Sequence, residues 1–196
     1  MFANRFTALV DACTLAGALK RNLILSLAEA EFFRLRWSEP IMDETERAIA
    51  EILGRRGIEG ADSAARRARA AMERAFEEAN VGDFRPFLPA CDGLPDPNDA
   101  HVLAAALATR ADVIVTDNLK DFPADILEPL GLDARSSDEF IADAITLNPG
   151  KAVAAIQKMR LRLKRPEKSP SVLLLDMEAS GLTETADVLQ AYEASL

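Results

Sequence analysis

The chain has few of the residues that build thiolate or imidazole metal sites. Its 196 residues include two cysteines, Cys13 and Cys91, and one histidine, His101. Two cysteines without CxxC spacing indicate neither a disulfide framework nor a zinc–thiolate site. A metal site here would therefore be built from carboxylates, which favour hard cations such as Mg²⁺ or Mn²⁺. We expect Cys13 to be small core filler and His101 to be partly buried or on a helix surface.

Long apolar runs are missing too. Charged residues break every apolar run before it could span a bilayer, and Asp11 interrupts the mildly apolar start, so no signal-like core is predicted. We therefore expect a cytoplasmic protein with no membrane contact. Hydrophobic residues make up 49% of the chain, which favours a folded globular domain over disorder.

The acidic charge is concentrated in one stretch. The net charge is −9, and residues 92–143 carry all of it, with twelve acids against three bases, while the remainder has twenty of each. One interpretation is a solvated face with helix caps. The other is that some of these acids converge and need a cation to stay close together.

Short apolar runs alternate with helical periodicity, which predicts a parallel sheet with helices on both faces. Strands are predicted at residues 6–12, 32–37 (or an extended link), 113–116 and 132–135. Helices are predicted at residues 14–30, 39–53, 62–79, 97–110, 122–130 and 138–147, with an extended or looped segment at 84–88. A basic stretch at 151–168 and an acidic end at 171–196 predict two or three further helices.

Capping residues mark four helix starts. Ser38 is an N-cap candidate before Pro40, and Asp96 precedes Pro97 in the same way. Asp62 or Ser63 is expected to cap the helix between them, and Ser136 or Ser137 the helix at 138–147.

Four acids come from four separate segments that we expect to meet at one sheet edge. Asp11 ends the first strand and Asp117 follows the third, and carboxyl ends of parallel strands lie at the same edge. Asp99 and Glu44 lie in the first turns of helices entering that region. Such carboxylates could hold one or two divalent ions for phosphodiester hydrolysis.

Each acid also has a purely structural interpretation. Asp96 and Asp99 suit helix capping and the helix dipole, Glu44 suits a solvated helix face, and Asp117 suits a turn. Asp11 is hardest to explain that way. A phosphatase of the HAD type needs D-x-D after the first strand, and this chain lacks the second Asp.

Four segments together resemble the PIN domain family: VDACTL, RWSEPIMDE, DPNDAHVLAAAL and VIVTDNLKDFP. They are similar in particular to VapC-type ribonuclease toxins of toxin–antitoxin pairs, over roughly residues 6–140. The resemblance implies a PIN-like (Rossmann-like) α/β/α sandwich with a central parallel sheet. It also implies a Mg²⁺-dependent endoribonuclease, with Mn²⁺ as an alternative metal, an RNA substrate, a small antitoxin partner and a homodimer.

The resemblance carries specific roles onto this chain. The catalytic acids it implies are Asp11, Glu44, Asp99 and Asp117. Many PIN domains read T-x-D, which would place Asn118 at the fourth acid position. We therefore take Asp117 as the first choice for the fourth acid and keep Asn118 and Asp121 as the alternatives. The metal ligands it implies are Asp11, Glu44, Asp96, Asp99, Asp117 and Asp121, with Thr116 and Asn118 in support.

The match leaves the end of the chain outside it. We therefore predict a PIN-like nuclease domain at residues 1–147 and a helical C-terminal extension at 148–196. The basic helix of the extension could contact RNA phosphates, dock on the acidic domain, or be a solvated face. A catalytically weak PIN-like scaffold that binds protein or RNA is the alternative function.

Overall fold

A four-stranded parallel sheet forms the centre of the protein, with the strand order β2–β1–β3–β4. The computed structural model describes residues 6–164 and 166–196. The strands are β1 (Thr7–Val10), β2 (Arg34–Arg36), β3 (Val113–Val115) and β4 (Asp133–Arg135). Each strand lies inside a predicted stretch, so the predicted α/β class with a central parallel sheet is confirmed.

Helices account for most of the rest of the chain. The α-helices are α1 (Ala12–Ala16), α2 (Ala18–Glu29), α3 (Glu39–Arg55), α4 (Ala61–Ala75), α5 (Ala100–Thr109), α6 (Ala124–Leu127), α7 (Ser137–Leu147), α8 (Pro149–Arg162), α9 (Pro170–Ala179) and α10 (Thr183–Gln190). The extended segment predicted at 84–88 is wrong, because Arg85–Cys91 is a 3-10 helix. None of the described helices is both long and apolar enough to cross a membrane.

Burial separates the two central strands from the two edge strands. Every residue of β1 and of β3 is buried, as is usual for parallel strands covered on both faces. The edge strands read Arg-Leu-Arg and Asp-Ala-Arg and keep charged residues at the surface, which discourages pairing with another chain. The central position of β1 and β3 places whatever follows them in the middle of one sheet edge.

The single helix predicted at 14–30 is two helices. Gly17 is extended, at φ −71° and ψ 118°, and ends α1 after five residues. The Arg21 guanidinium donates to the carbonyls of Leu15 and Ala16 at 2.7 and 3.0 Å, so it satisfies backbone acceptors that the break leaves free. The leucine periodicity runs across the break, which is why it predicted one helix.

The hairpin of α3 and α4 also differs in detail from its prediction. The helix predicted at 39–53 runs on to Arg55, so Gly54 lies inside α3. Gly60, at φ +73°, is the N-cap of α4, so the cap predicted at Asp62 or Ser63 is wrong. A left-handed residue is what the tight entry into α4 requires, and glycine adopts it without steric cost.

One arginine binds the two helices of this hairpin together. Arg69 of α4 has a side chain that is only 16% exposed. It pairs with four acids, here called the Arg69 cluster: Glu39, Asp43 at 2.6 Å, Glu46 at 3.5 Å and Glu73 at 2.8 Å. Burial alone would lower the pKa of Arg69, but the hydrogen bonds that it donates to Glu73 and Asp43 raise it above its usual value.

The C-terminal helices continue the core of the sheet domain. Ser136 caps α7 in a reciprocal capping box with Glu139, as predicted from the serine pair at that point. The Asp138 carboxylate accepts hydrogen bonds from the amides of Glu184 and Thr185 at 2.9 and 2.8 Å, which caps α10. Buried side chains of α8, α9 and α10 belong to the same hydrophobic cluster as the strands.

The basic stretch of α8 contacts the sheet domain. Lys158 and Arg162 both pair with Glu29 at the end of α2, at 3.2 and 3.1 Å. The Lys151 ammonium lies 5.0 Å from the centre of the Phe32 ring, a cation–π distance. Of the three interpretations offered for this segment, docking on the domain has these contacts in its favour.

Candidate metal centre at the carboxyl ends of the strands

Asp11 is fixed where β1 ends. Its amide donates to the Val115 carbonyl at 3.0 Å, which continues the ladder with β3. The buried carboxylate accepts from the Ala12 amide at 2.6 Å and from the Thr116 hydroxyl at 2.8 Å. Asp11 is thus the N-cap of α1 and is oriented by Thr116, the residue that follows β3. The supporting role of Thr116 in metal binding stays a prediction.

Asp99 enters the same edge from a capped turn. Asp96 accepts from the Asn98 amide at 2.9 Å and begins the 3-10 turn Pro97–Asp99 that leads into α5, so the predicted cap is confirmed. Oδ2 of Asp99 is buried and has no hydrogen-bond partner among the described residues. Burial, and then the charges of Asp11, Asp96 and Asp121, raise the pKa of Asp99 to about 6.

These four acids form a group that we call the carboxyl-edge cluster: Asp11, Asp96, Asp99 and Asp121. An unpartnered carboxylate oxygen beside three like charges is unfavourable unless a proton or a cation neutralises it. The donor set is all oxygen, which is what Mg²⁺ and Mn²⁺ prefer. The donor chemistry of these acids therefore suits a hard divalent cation, and Oδ2 of Asp99 is the one buried atom among them that has no partner in the part of the chain that the structure describes.

Asp117 is engaged in a different way. Its Oδ2 pairs with the Lys20 ammonium at 2.7 Å, and its Oδ1 accepts from the Ser137 amide and hydroxyl at 3.0 and 2.6 Å. Burial would raise the pKa of Asp117, but Lys20 and Ser137 lower it below the usual value. The carboxylate ties β3 to α2 and α7, and every one of these contacts would compete with a metal ion.

Asp121 is held by its neighbour. The Asn118 side-chain amide donates to Oδ2 of Asp121. The backbone amide of Asn118 in turn donates to the Thr116 hydroxyl at 3.1 Å. Thr116 thus orders the loop that carries Asp121 and, through its own hydroxyl, orients Asp11 as well.

Glu44 meets a different partner from the other acids. Its Oε1 lies 3.1 Å from Nε2 of His101, whose side chain is 17% exposed. His101 belongs to the first turn of α5, two residues after Asp99. The expectation that His101 is partly buried is confirmed, but its contact with Glu44 was not predicted.

The expectation that Cys13 is core filler is wrong. Cys13 has exposed surface, while its Sγ lies 3.1 Å from the Asp11 carboxylate and 3.2 Å from the Thr116 hydroxyl. Burial of the thiol, and then the charge of Asp11, raise the pKa of Cys13 to about 12. The residue is a protonated thiol at the edge of the candidate site. Its position two residues after the strand-ending Asp11 was the available signal in the sequence.

The predicted ligands do not form a closed coordination shell. Within residues 6–164 and 166–196, no three His, Cys, Asp or Glu side chains come close enough together to hold a metal ion. The structure brings Asp11, Asp96, Asp99 and Asp121 within electrostatic reach of one another. The contacts of Lys20 and Ser137 with Asp117, and of His101 with Glu44, were missed, because no local pattern signals contacts that span 20 to 97 residues.

The fold is that of an α/β protein with a parallel sheet, and a group of carboxylates lies at the carboxyl ends of its strands. A family model described as "PIN domain" matches residues 7–120. That match covers more than half of the chain, and the chain belongs to the PIN domain family. The resemblance and the PIN-like fold predicted from the sequence are confirmed.

Further similarity points to one type of PIN protein. A model described as "VapC50 C-terminal domain" matches residues 137–191. The chain is 43% identical over 76 residues to a Mycobacterium tuberculosis protein named "Putative ribonuclease VapC50", an alignment that spans 39% of this chain and 45% of that relative. No solved structure matches the chain significantly. The second match begins at Ser137, before the domain boundary predicted after residue 147, which stays a prediction.

Proposed function

We propose that the chain is a Mg²⁺-dependent endoribonuclease, with Mn²⁺ as an alternative metal, and the toxin of a toxin–antitoxin pair. The observation that carries the proposal is the buried, unpartnered Oδ2 of Asp99 beside three other carboxylates. The partial similarity to a protein named as a ribonuclease supports RNA as the substrate. Family membership supports nuclease chemistry in general.

The chain's own residues divide the work at the carboxyl edge. Asp11 and Asp99 are the proposed central ligands, because Asp11 is fixed by Thr116 and Asp99 has an oxygen with no other partner. Glu44 of α3 and Asp96, which caps the turn before α5, are further proposed ligands. A divalent cation bound there would lower the pKa of a water molecule and offset charge on the phosphate.

The fourth acid is the one position where the proposal departs from our first choice. Asp117 was preferred on sequence, yet its carboxylate is occupied by Lys20 and Ser137. Asp121 acts on Asp99 electrostatically and is held by Asn118. We therefore favour Asp121 as the fourth acid and give Asp117 a structural role.

The test is RNA cleavage with and without Mg²⁺ by the purified protein free of any partner. Asp11→Ala and Asp99→Ala should each abolish Mg²⁺-dependent cleavage. Asp125→Asn is the matched control, because Asp125 is an exposed acid of α6 outside the cluster. If wild type cleaves nothing, or if both alanine variants cleave as well as wild type, the nuclease proposal fails.

The alternative function is a catalytically weak PIN-like scaffold that binds protein or RNA. The observation in its favour is that the described donors are not closely grouped. It predicts RNA binding that Mg²⁺ does not change and that survives in Asp99→Ala. A gel-shift assay with and without Mg²⁺ separates the two functions.

The proposed partners are a small antitoxin and a second copy of the chain, both inside the cytoplasm. Similarity to VapC-type proteins supports the antitoxin in general terms. Co-expression with the product of an adjacent short reading frame should give a stable complex that no longer cleaves RNA. Light scattering during size-exclusion chromatography of the toxin alone tests the homodimer.

A further inference from the structure

The only histidine of the chain lies against the candidate site. His101 is in the first turn of α5, and its Nε2 is 3.1 Å from Oε1 of Glu44 on α3. Asp99 lies two residues before it on the same turn. One short segment therefore carries both a proposed ligand and the contact that holds another.

The hydrogen-bond network assigns the proton of this ring. Nδ1 of His101 is buried and has no partner among the described residues. A proton on Nδ1 would leave a buried donor unsatisfied, at a cost of about 1–3 kcal/mol, and would turn an Nε2 lone pair toward a carboxylate. Nε2 therefore carries the hydrogen and donates it to Glu44.

Without this bond Glu44 would be free to adopt many rotamers. A glutamate side chain loses about 1.5–2 kcal/mol of conformational entropy when it is fixed in one geometry. We infer that His101 is a positioning residue, which fixes the Glu44 carboxylate for cation binding at the carboxyl edge. This inference rests on the proposed function, because it requires Glu44 to be a ligand.

The second contact of Glu44 is much weaker. Arg47 lies 3.9 Å from Oε1, and its side chain is 76% exposed. An ion pair of this kind in water contributes little to stability or geometry. Arg47→Gln therefore serves as a matched control that removes a neighbour of Glu44 without removing the positioning bond.

The experiment is a titration of metal-free protein with Mn²⁺, followed by calorimetry or by the spin-resonance signal of free Mn²⁺. His101→Leu should weaken Mn²⁺ binding about tenfold or more, as is typical when an outer partner of a ligand is lost. His101→Gln retains a donor and should stay within about threefold of wild type. Circular dichroism confirms that each variant is folded before its affinity is compared.

A double-mutant cycle with Glu44→Gln separates positioning from general support. Because His101 acts through Glu44, the double variant should bind Mn²⁺ no more weakly than Glu44→Gln alone. Additive losses, or an affinity of His101→Leu equal to that of wild type, would overturn the inference while the proposed function stands. Wild-type protein that binds no Mn²⁺ would overturn the proposed function and this inference together.

Discussion

Two clusters of acids in this chain differ in how the repulsion between their carboxylates is compensated. The Arg69 cluster brings four acids to one arginine, which pairs with all of them. The carboxyl-edge cluster also has four acids, but no Lys or Arg among the described residues forms a salt bridge with them, and Oδ2 of Asp99 has no partner there. A cluster that contains its own cation stabilises the fold, whereas a cluster without one is suited to bind a cation from solution.

Asp117 shows the same contrast within a single loop. It lies four residues before Asp121, yet it carries a lysine and a serine as partners. Its pKa is lowered, while that of Asp99 is raised. Proximity in sequence therefore does not decide which acid serves the metal and which serves the fold.

The largest effect is expected when Asp121, the proposed ligand, and Asp117, the structural acid, are each replaced by asparagine. Asp121→Asn should lower Mg²⁺-dependent RNA cleavage about 100-fold or more, because it removes a proposed ligand. Asp117→Asn should keep cleavage within about tenfold but lower the melting temperature, because Lys20 and Ser137 lose a charged partner. Steady-state kinetics and thermal unfolding of both variants measure this. If Asp117→Asn loses most of its cleavage activity and Asp121→Asn cleaves as well as wild type, Asp117 is the fourth acid after all.

Features that depend on neighbouring residues could be predicted from the sequence, whereas features that depend on contacts between distant residues could not. Asp11 after a buried run, Asp96 before Pro97 and the serine before α7 are local signals, and all three have the predicted surroundings. Choosing between Asp117 and Asp121 depends on Lys20, which is 97 residues away. The break at Gly17 was missed because the apolar repeat continues through it, and because only tertiary packing stabilises two separate helices there.

A smaller effect is expected at the neutralised cluster. Arg69→Met should lower the free energy of unfolding by about 2 kcal/mol, since four acids would then repel one another without their partly buried partner. Arg55→Met is the control, because Arg55 forms one exposed pair with Glu51 and should change stability by less than about 0.5 kcal/mol. Urea unfolding measures both. If Arg69→Met is no worse than its control, the cluster does not stabilise the hairpin.

At the carboxyl-edge cluster, removing a charge should raise the free energy of unfolding instead of lowering it. Asp99 has a folded-state pKa of about 6, above the value near 4 of an unfolded aspartate. The folded state therefore favours the proton, and this contribution is complete below pH ~4 and is lost as the pH rises through about 6. In metal-free protein at pH 7.5, Asp99→Asn should be more stable than wild type by about 1 kcal/mol, once solvent screening is discounted.

Unfolding of both proteins by urea between pH 4 and 8, with a chelator present, measures this difference. Added Mg²⁺ should then stabilise wild type and leave Asp99→Asn unchanged. If the free energy of unfolding depends on pH in the same way for both proteins, the charge of Asp99 does not destabilise the metal-free folded state.

The smallest effect is a change in thiol reactivity that reports the field of the cluster. Asp11 is the second cause, after burial, of the raised pKa of Cys13. In a Cys91→Ser background, Asp11→Asn should speed alkylation of Cys13 at pH 9 about threefold, because a lower pKa increases the thiolate fraction. Asparagine still caps α1, so the helix start is retained, and Asp125→Asn in the same background controls for net charge. An unchanged or slower rate would mean that Asp11 does not set the potential at this edge, and the contrast between the two clusters would lose its electrostatic basis.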